Sequence, residues 1–145
     1  MNYLAIVIAG LAGTLIMTMF MRMAPAMGMP KMDIVAMLST MFGKPNKALG
    51  LVMHTMMGIV FTFIYFFLGL GSGSVLTALL FGAAHWLLMG MMMGLIPMMH
   101  VGIRSGDVEA PGLYMTKNGG MMAFVGGLIG HLVFAIVAYY TYLLF

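Results

Sequence analysis

Cysteine is absent from the 145 residues. That excludes disulfides, thiolate metal centres and iron–sulfur clusters. Charge is almost as scarce: 6% of the residues are charged and 63% are hydrophobic, against roughly 25% charged in a soluble domain. With a mean hydropathy of +1.12, the chain cannot present a water-soluble surface and is expected to be an integral membrane protein. Asp, Glu, Lys and Arg are missing from residues 3–21, 48–70, 75–99 and 120–145. Each stretch is close to or above the roughly 20 residues that cross ~30 Å of hydrocarbon. The expected fold is all-α, with four transmembrane helices in a single membrane domain, 1–145. Without a carboxylate inside any span, ion-coupled transport lacks its usual ligand. No GxSxG, HExxH, P-loop or GxGxxG is present, so hydrolysis and nucleotide chemistry lack their usual motifs.

The charges that do occur are confined. Arg22, Lys31, Lys44, Lys47 and Asp33 lie between the first two spans, and Arg104, Lys117, Asp107 and Glu109 between the last two. By the positive-inside rule, loops 22–47 and 100–119 are expected to be cytoplasmic, with both termini and the Gly69-to-Ser74 turn outside. Tyr3, Tyr65, Tyr139, Tyr140 and Tyr142 would then form an outer aromatic belt. The net charge of +3 reflects topology and gives no nucleic-acid-binding stripe. Ala24-Pro25-Ala26 imitates a signal-peptidase site, but the preceding run has no basic start, so the first span is expected to be retained. Asp33 is an N-cap for a short interfacial helix near 33–42, with an apolar stripe of Ile34, Met37, Leu38 and Met41 and a stop at Gly43. Val101 to Gly120 reads as an irregular loop suited to a soluble partner.

What the sequence has in abundance is repetition. Residues 50–65 and 127–142 align with Gly50/Gly127, His54/His131, Ile59/Ile136, Val60/Val137 and Tyr65/Tyr142 in register. Aligning Gly10 with Gly82 also superposes Met17, Met19, Met21 and Pro25 on Met89, Met91, Met93 and Pro97. The chain therefore divides into two tandem helical hairpins, repeat 1 over 1–70 and repeat 2 over 73–145. A pseudo-twofold along the membrane normal is expected to relate them. Equivalence then means equal depth, placing His54 ~12 Å and His131 ~16 Å from the cytoplasmic edge at ~1.5 Å per residue. His85 falls further out and aligns with Gly13, while His100 is expected to be solvated at the surface.

An imidazole in hydrocarbon must have its nitrogens satisfied, so a matched pair marks a functional site. One reading is axial ligation of a b-type haem by His54 and His131. Gly50 and Gly58 around His54, and Gly127 and Ala135 around His131, would leave flat space for the porphyrin. A second is that these small residues serve close helix packing and the histidines hydrogen-bond across it. Metal, quinone and proton sites are also open, with His85 as a further ligand. Methionine, at 22 residues, raises copper, because thioethers suit Cu(I). Met17, Met21, Met89 and Met93 would form its best pocket, although Met17, Met19, Met21 and Met23 ring their helix and methionine is an ordinary core filler. Trp86 reads as packing. The functional expectation is a small accessory subunit in the lipid bilayer, bound to other membrane subunits or to itself as an oligomer.

The segments Gly28-Met29-Pro30-Lys31-Met32-Asp33 after Ala24-Pro25, His54 to Tyr65, Phe81-Gly82 with His85-Trp86, Pro97-Met98-Met99-His100 and Gly130-His131-Leu132-Val133 resemble an uncharacterised family of small bacterial four-span membrane proteins, a domain of unknown function. The resemblance covers nearly the whole chain. It implies a bacterial inner (cytoplasmic) membrane location and four helices, and transfers no activity. Phe134-Ala135 departs from the aromatic and Gly expected after the His131 run.

Overall fold

The computed structural model describes residues 1–117 and 119–145, and every regular element among them is helical. Four helices are long and apolar enough to cross a membrane: α1 (Tyr3–Met23), α3 (Lys47–Phe67), α4 (Val75–Met92) and α7 (Gly120–Tyr142). Between them lie α2 (Ile34–Ser39), α5 (Ile96–Met99) and α6 (Val101–Arg104). Local chemistry sets most of the starts. The side chains of Asn2, Asp33, Asn46 and Ser74 accept from the amides of Ala5, Ala36, Leu49 and Thr77, capping α1, α2, α3 and α4. The apolar run to residue 99 does not make one span. α4 stops at Met92, because Pro97 has no amide to give and its ring excludes the carbonyl four residues earlier. A separate turn, α5, begins there.

Each half is a hairpin closed by a small residue. A methyl group built on Gly10 would lie 2.8 Å from the Ile59 Cα and 3.3 Å from the Gly58 carbonyl oxygen, so α1 and α3 touch backbone to backbone. Gly82, the repeat equivalent of Gly10, does the same between α4 and α7, with 2.7 Å to the His131 carbonyl oxygen and 3.0 Å to the Ala135 Cβ. Close approach at glycine is how apolar helices gain contact when lipid offers no hydrophobic drive. Thr14, Thr18 and Thr62 return their hydroxyls to the carbonyls of Gly10, Thr14 and Gly58, which satisfies them inside the bundle.

The hairpins meet along α1 and α7, where a methyl built on Gly13 would lie 3.0 Å from the Phe134 ring and one on Gly130 3.0 Å from the Met21 sulfur. A strict twofold would give α3 and α4 a matching backbone seam. They are held together instead by side chains, with Phe61 stacked on His85 at 3.7 Å between ring centroids. His54, His85 and His131 line the space between α3, α4 and α7.

Several expectations are corrected by the packing. The helix after Asp33 ends at Ser39, not Phe42, and buries Val35, Met37, Leu38 and Ser39 against α3. Ile34 and Met41 are only half-buried. Tyr65 is buried among Phe81, Phe134 and His85, leaving Tyr3 and Tyr140 as the exposed tyrosines of the proposed belt. His100 is 0% exposed. Its Nδ1 accepts from the Ile103 amide at 3.1 Å, so the proton sits on Nε2, which donates to the Met37 carbonyl at 2.9 Å. Depth counting along one chain put this residue in water; the fold of α2 over it removes the water.

Candidate functional site

Three histidines from three helices line one cavity: His54 on α3, His85 on α4 and His131 on α7. Six methionines join them, Met17 and Met21 from α1, Met57 from α3, Met89 and Met93 on and just after α4, and Met115 from the second connection. The cavity measures about 60 Å³. That is room for a few waters or an ion with its ligands, well short of the roughly 150 Å³ that takes up benzene.

A hydrogen bond assigns the His131 ring proton. His131 Nδ1 lies 2.8 Å from the Gly127 carbonyl oxygen. A carbonyl only accepts, so Nδ1 carries the proton and the Nε2 lone pair is free. An imidazole that donates one nitrogen to a backbone carbonyl and keeps the other bare has the arrangement usual in metal-binding histidines. Tyr65 Oη lies 2.8 Å from His85 Nδ1 and has no other partner among the described residues. This bond ties His85 to Tyr65 in either tautomer. His85 stands edge-on to His131, with ring centroids 4.6 Å apart and an interplanar angle of 88°. His54 is 8% exposed, and its Nε2 is buried without a hydrogen-bond partner. A buried nitrogen left bare costs about 1–3 kcal/mol. His54 thus keeps its Nε2 buried without a partner and His131 keeps its Nε2 bare, while the Nδ1 of His85 is tied to Tyr65.

The methionines divide by face. Met17 and Met21, one turn apart, are buried, while Met19 and Met23 on the opposite side are exposed. The inward pair meets Met89 and Met93 in the cavity, so the α1 and α4 residues matched by the repeat converge on one space. Met115 reaches it from a backbone bend at which Tyr114 and Met115 hold φ of 53° and 58°. Left-handed geometry in bulky side chains is strained. The Tyr114 ring packs onto Gly90, and its hydroxyl donates to the Leu87 carbonyl at 3.2 Å. The second connection is therefore anchored in the bundle and closes one end of the cavity, instead of lying free as an irregular loop.

The small residues flanking the histidines are occupied. A methyl on Gly50 would strike the Val35 carbonyl oxygen and sit 2.8 Å from the Ser39 amide nitrogen, both in the backbone of α2. Gly58 is filled by the Thr14 side chain, and Gly127 by the Trp86 ring. Trp86, 1% exposed, lies 5.0 Å from His131 between centroids, and its Nε1 has no partner. Among the described residues, no three His, Asp or Glu side chains converge as a metal site.

The fold and the site define a helical bundle with four helices long and apolar enough to cross a membrane and with a histidine- and methionine-lined interior. The chain matches no family model, no curated protein and no solved structure. The arrangement of the residues is what a functional reading has to work from.

Proposed function

We propose that this protein binds a soft monovalent metal ion, Cu(I), inside the membrane and belongs to the copper-handling class of membrane proteins. One observation carries the reading: the bare Nε2 positions of His131 and His54 share a cavity with six methionine thioethers and no carboxylate. Soft sulfur with neutral imidazole selects Cu(I) over Zn(II), Mg(II) or Ca(II). Neutral ligands also leave the ion as a single positive charge, the least costly to hold in a low-dielectric interior. Met17, Met21, Met89 and Met93 supply the sulfur, His131 and His54 the nitrogen, and Tyr65 with His85 fixes one wall. Duplication of a hairpin accounts for the matching methionines, with a pseudo-twofold carried by the hairpins themselves. Charge bias supports both connections being cytoplasmic with α2 at the inner interface, and the resemblance to small bacterial four-span proteins supports a bacterial inner membrane.

A b-type haem between His54 and His131 has less support. Gly50, Gly58 and Gly127, which were to make room for it, face α2, Thr14 and Trp86, and about 60 Å³ is left. The test is equilibrium dialysis of detergent-purified protein against buffered Cu(I), with Ag(I) as a redox-inert substitute and metal analysis as readout. Retention of a bound ion is expected. It should be weakened by His54→Gln and by the paired Met89→Leu and Met93→Leu exchange, which conserves volume and so preserves packing. A wild-type preparation that retains neither ion defeats the proposal. A stable Met→Leu protein with undiminished retention would assign the methionines to packing, and a pigmented preparation with a reduced-haem spectrum would favour the haem.

A further inference from the structure

A second polar feature lies outside the histidine cavity, where the end of α1, the chain leading into α2 and the start of α3 meet. Two adjoining grooves, of about 110 and 410 Å³, share Arg22, Asp33 and Val35. Lys31 lines the first and Lys47 the second. Three cations against one carboxylate give the grooves a local charge of +2. Among the described residues the single ion pair is Lys117 with Glu109, so Arg22, Lys31 and Lys47 are all unneutralised. Asp33 has a separate task, since its Oδ1 accepts from the Ala36 amide at 2.9 Å and caps α2. Lys47 opens α3, a helix of 21 residues whose N-terminal dipole adds to the positive field.

The larger groove is basic at one side and apolar at the other. Ala48 and Leu51 line it, and Leu51 is 49% exposed beside Val52 at 57% on the outer face of α3. An occupant must therefore be anionic at one end and oily at the other, and must sit at the membrane edge where α1 ends and α3 begins. We propose that this groove binds an anionic phospholipid, with its phosphate between Arg22 and Lys47 and an acyl chain along Leu51. Basic pockets between transmembrane helices hold acidic headgroups in this way. A soluble phosphate would use the cations and leave Leu51 without a role.

Native mass spectrometry of the full chain, released from detergent containing equal phosphatidylglycerol and phosphatidylcholine, reads the lipid retained. Phosphatidylglycerol should be preferred. Arg22→Gln and Lys47→Gln should each lower that preference roughly five-fold, and Lys44→Gln, an exposed lysine of the same connection that lines neither groove, should leave it unchanged. Asp33→Asn keeps an N-cap acceptor but removes the opposing charge, so retention should rise by a similar factor, a gain that misfolding cannot produce. Equal retention of the two lipids overturns the proposal, as does a Lys44→Gln loss matching that of Arg22→Gln, which would indicate unspecific attraction. Displacement of the lipid by millimolar inorganic phosphate, or an Asp33→Asn protein with no gain, overturns it as well.

Discussion

Replacing Gly50 by alanine separates close packing from an open slot beside His54. The added methyl would collide with the Val35 carbonyl oxygen and lie 2.8 Å from the Ser39 amide nitrogen. Both atoms belong to the backbone of α2, so no side-chain rotation relieves the clash; the short helix must lift. Overpacking of this kind costs about 1–3 kcal/mol, and a rigid backbone neighbour puts Gly50→Ala in the upper half of that range. α2 is fastened by Val35, Met37 and Leu38, all buried, and by the His100 bond to the Met37 carbonyl. Its substantial helix contacts are with α3 alone. Local opening, not global unfolding, should therefore absorb the cost. At about 2–3 kcal/mol, hydrogen exchange of the 34–39 amides should accelerate roughly 30- to 150-fold, since 1.4 kcal/mol is a factor of ten. Amides around Phe134 in α7 should keep their wild-type rates. An alanine variant with unchanged exchange over 34–39 would refute the close approach, and would mean that the face of His54 next to Gly50 is open after all.

Two further substitutions test other parts of the same scheme. His100→Ala removes the acceptor for the Ile103 amide and leaves that group bare, while the Met37 carbonyl keeps its bonds from the Thr40 amide and hydroxyl. A loss of about 1–3 kcal/mol is expected in chemical denaturation, and no measurable loss would show that water takes the place of the ring. Tyr65→Phe strips His85 Nδ1 of its partner. Stability should fall by about 1–2 kcal/mol, and Ag(I) retention roughly ten-fold if Tyr65 fixes the cavity wall beside the ion. Stability lost with Ag(I) binding intact would confine Tyr65 to a packing role.

The parts of the fold that follow from one-dimensional pattern were legible. Runs free of charge located four helices, but the close approaches at Gly10 and Gly82, which the sequence only aligned with each other, emerge from the packing. His85 was harder to weigh, because its repeat partner is Gly13 and symmetry drew the eye to His54 and His131. Its proximity to His131 depends on how α4 packs across α7, which no spacing along either helix reveals. His100 lies under α2 beside the Gly50 contact, and nothing in the sequence says which side of a short amphipathic helix will fold back on the bundle. The methionines were better placed by the repeat than by counting, since only their inward half meets.

Helix α7 comes last in the chain, yet it packs on both α1 and α4 and brings His131, Gly127 and Phe134 to the interior. Until it arrives, Thr14, His54 and His85 face a groove lacking a fourth wall. Biosynthesis thus imposes an order: the compartment comes into being only once α7 has joined the three helices that precede it, and nothing can be lodged in it before then.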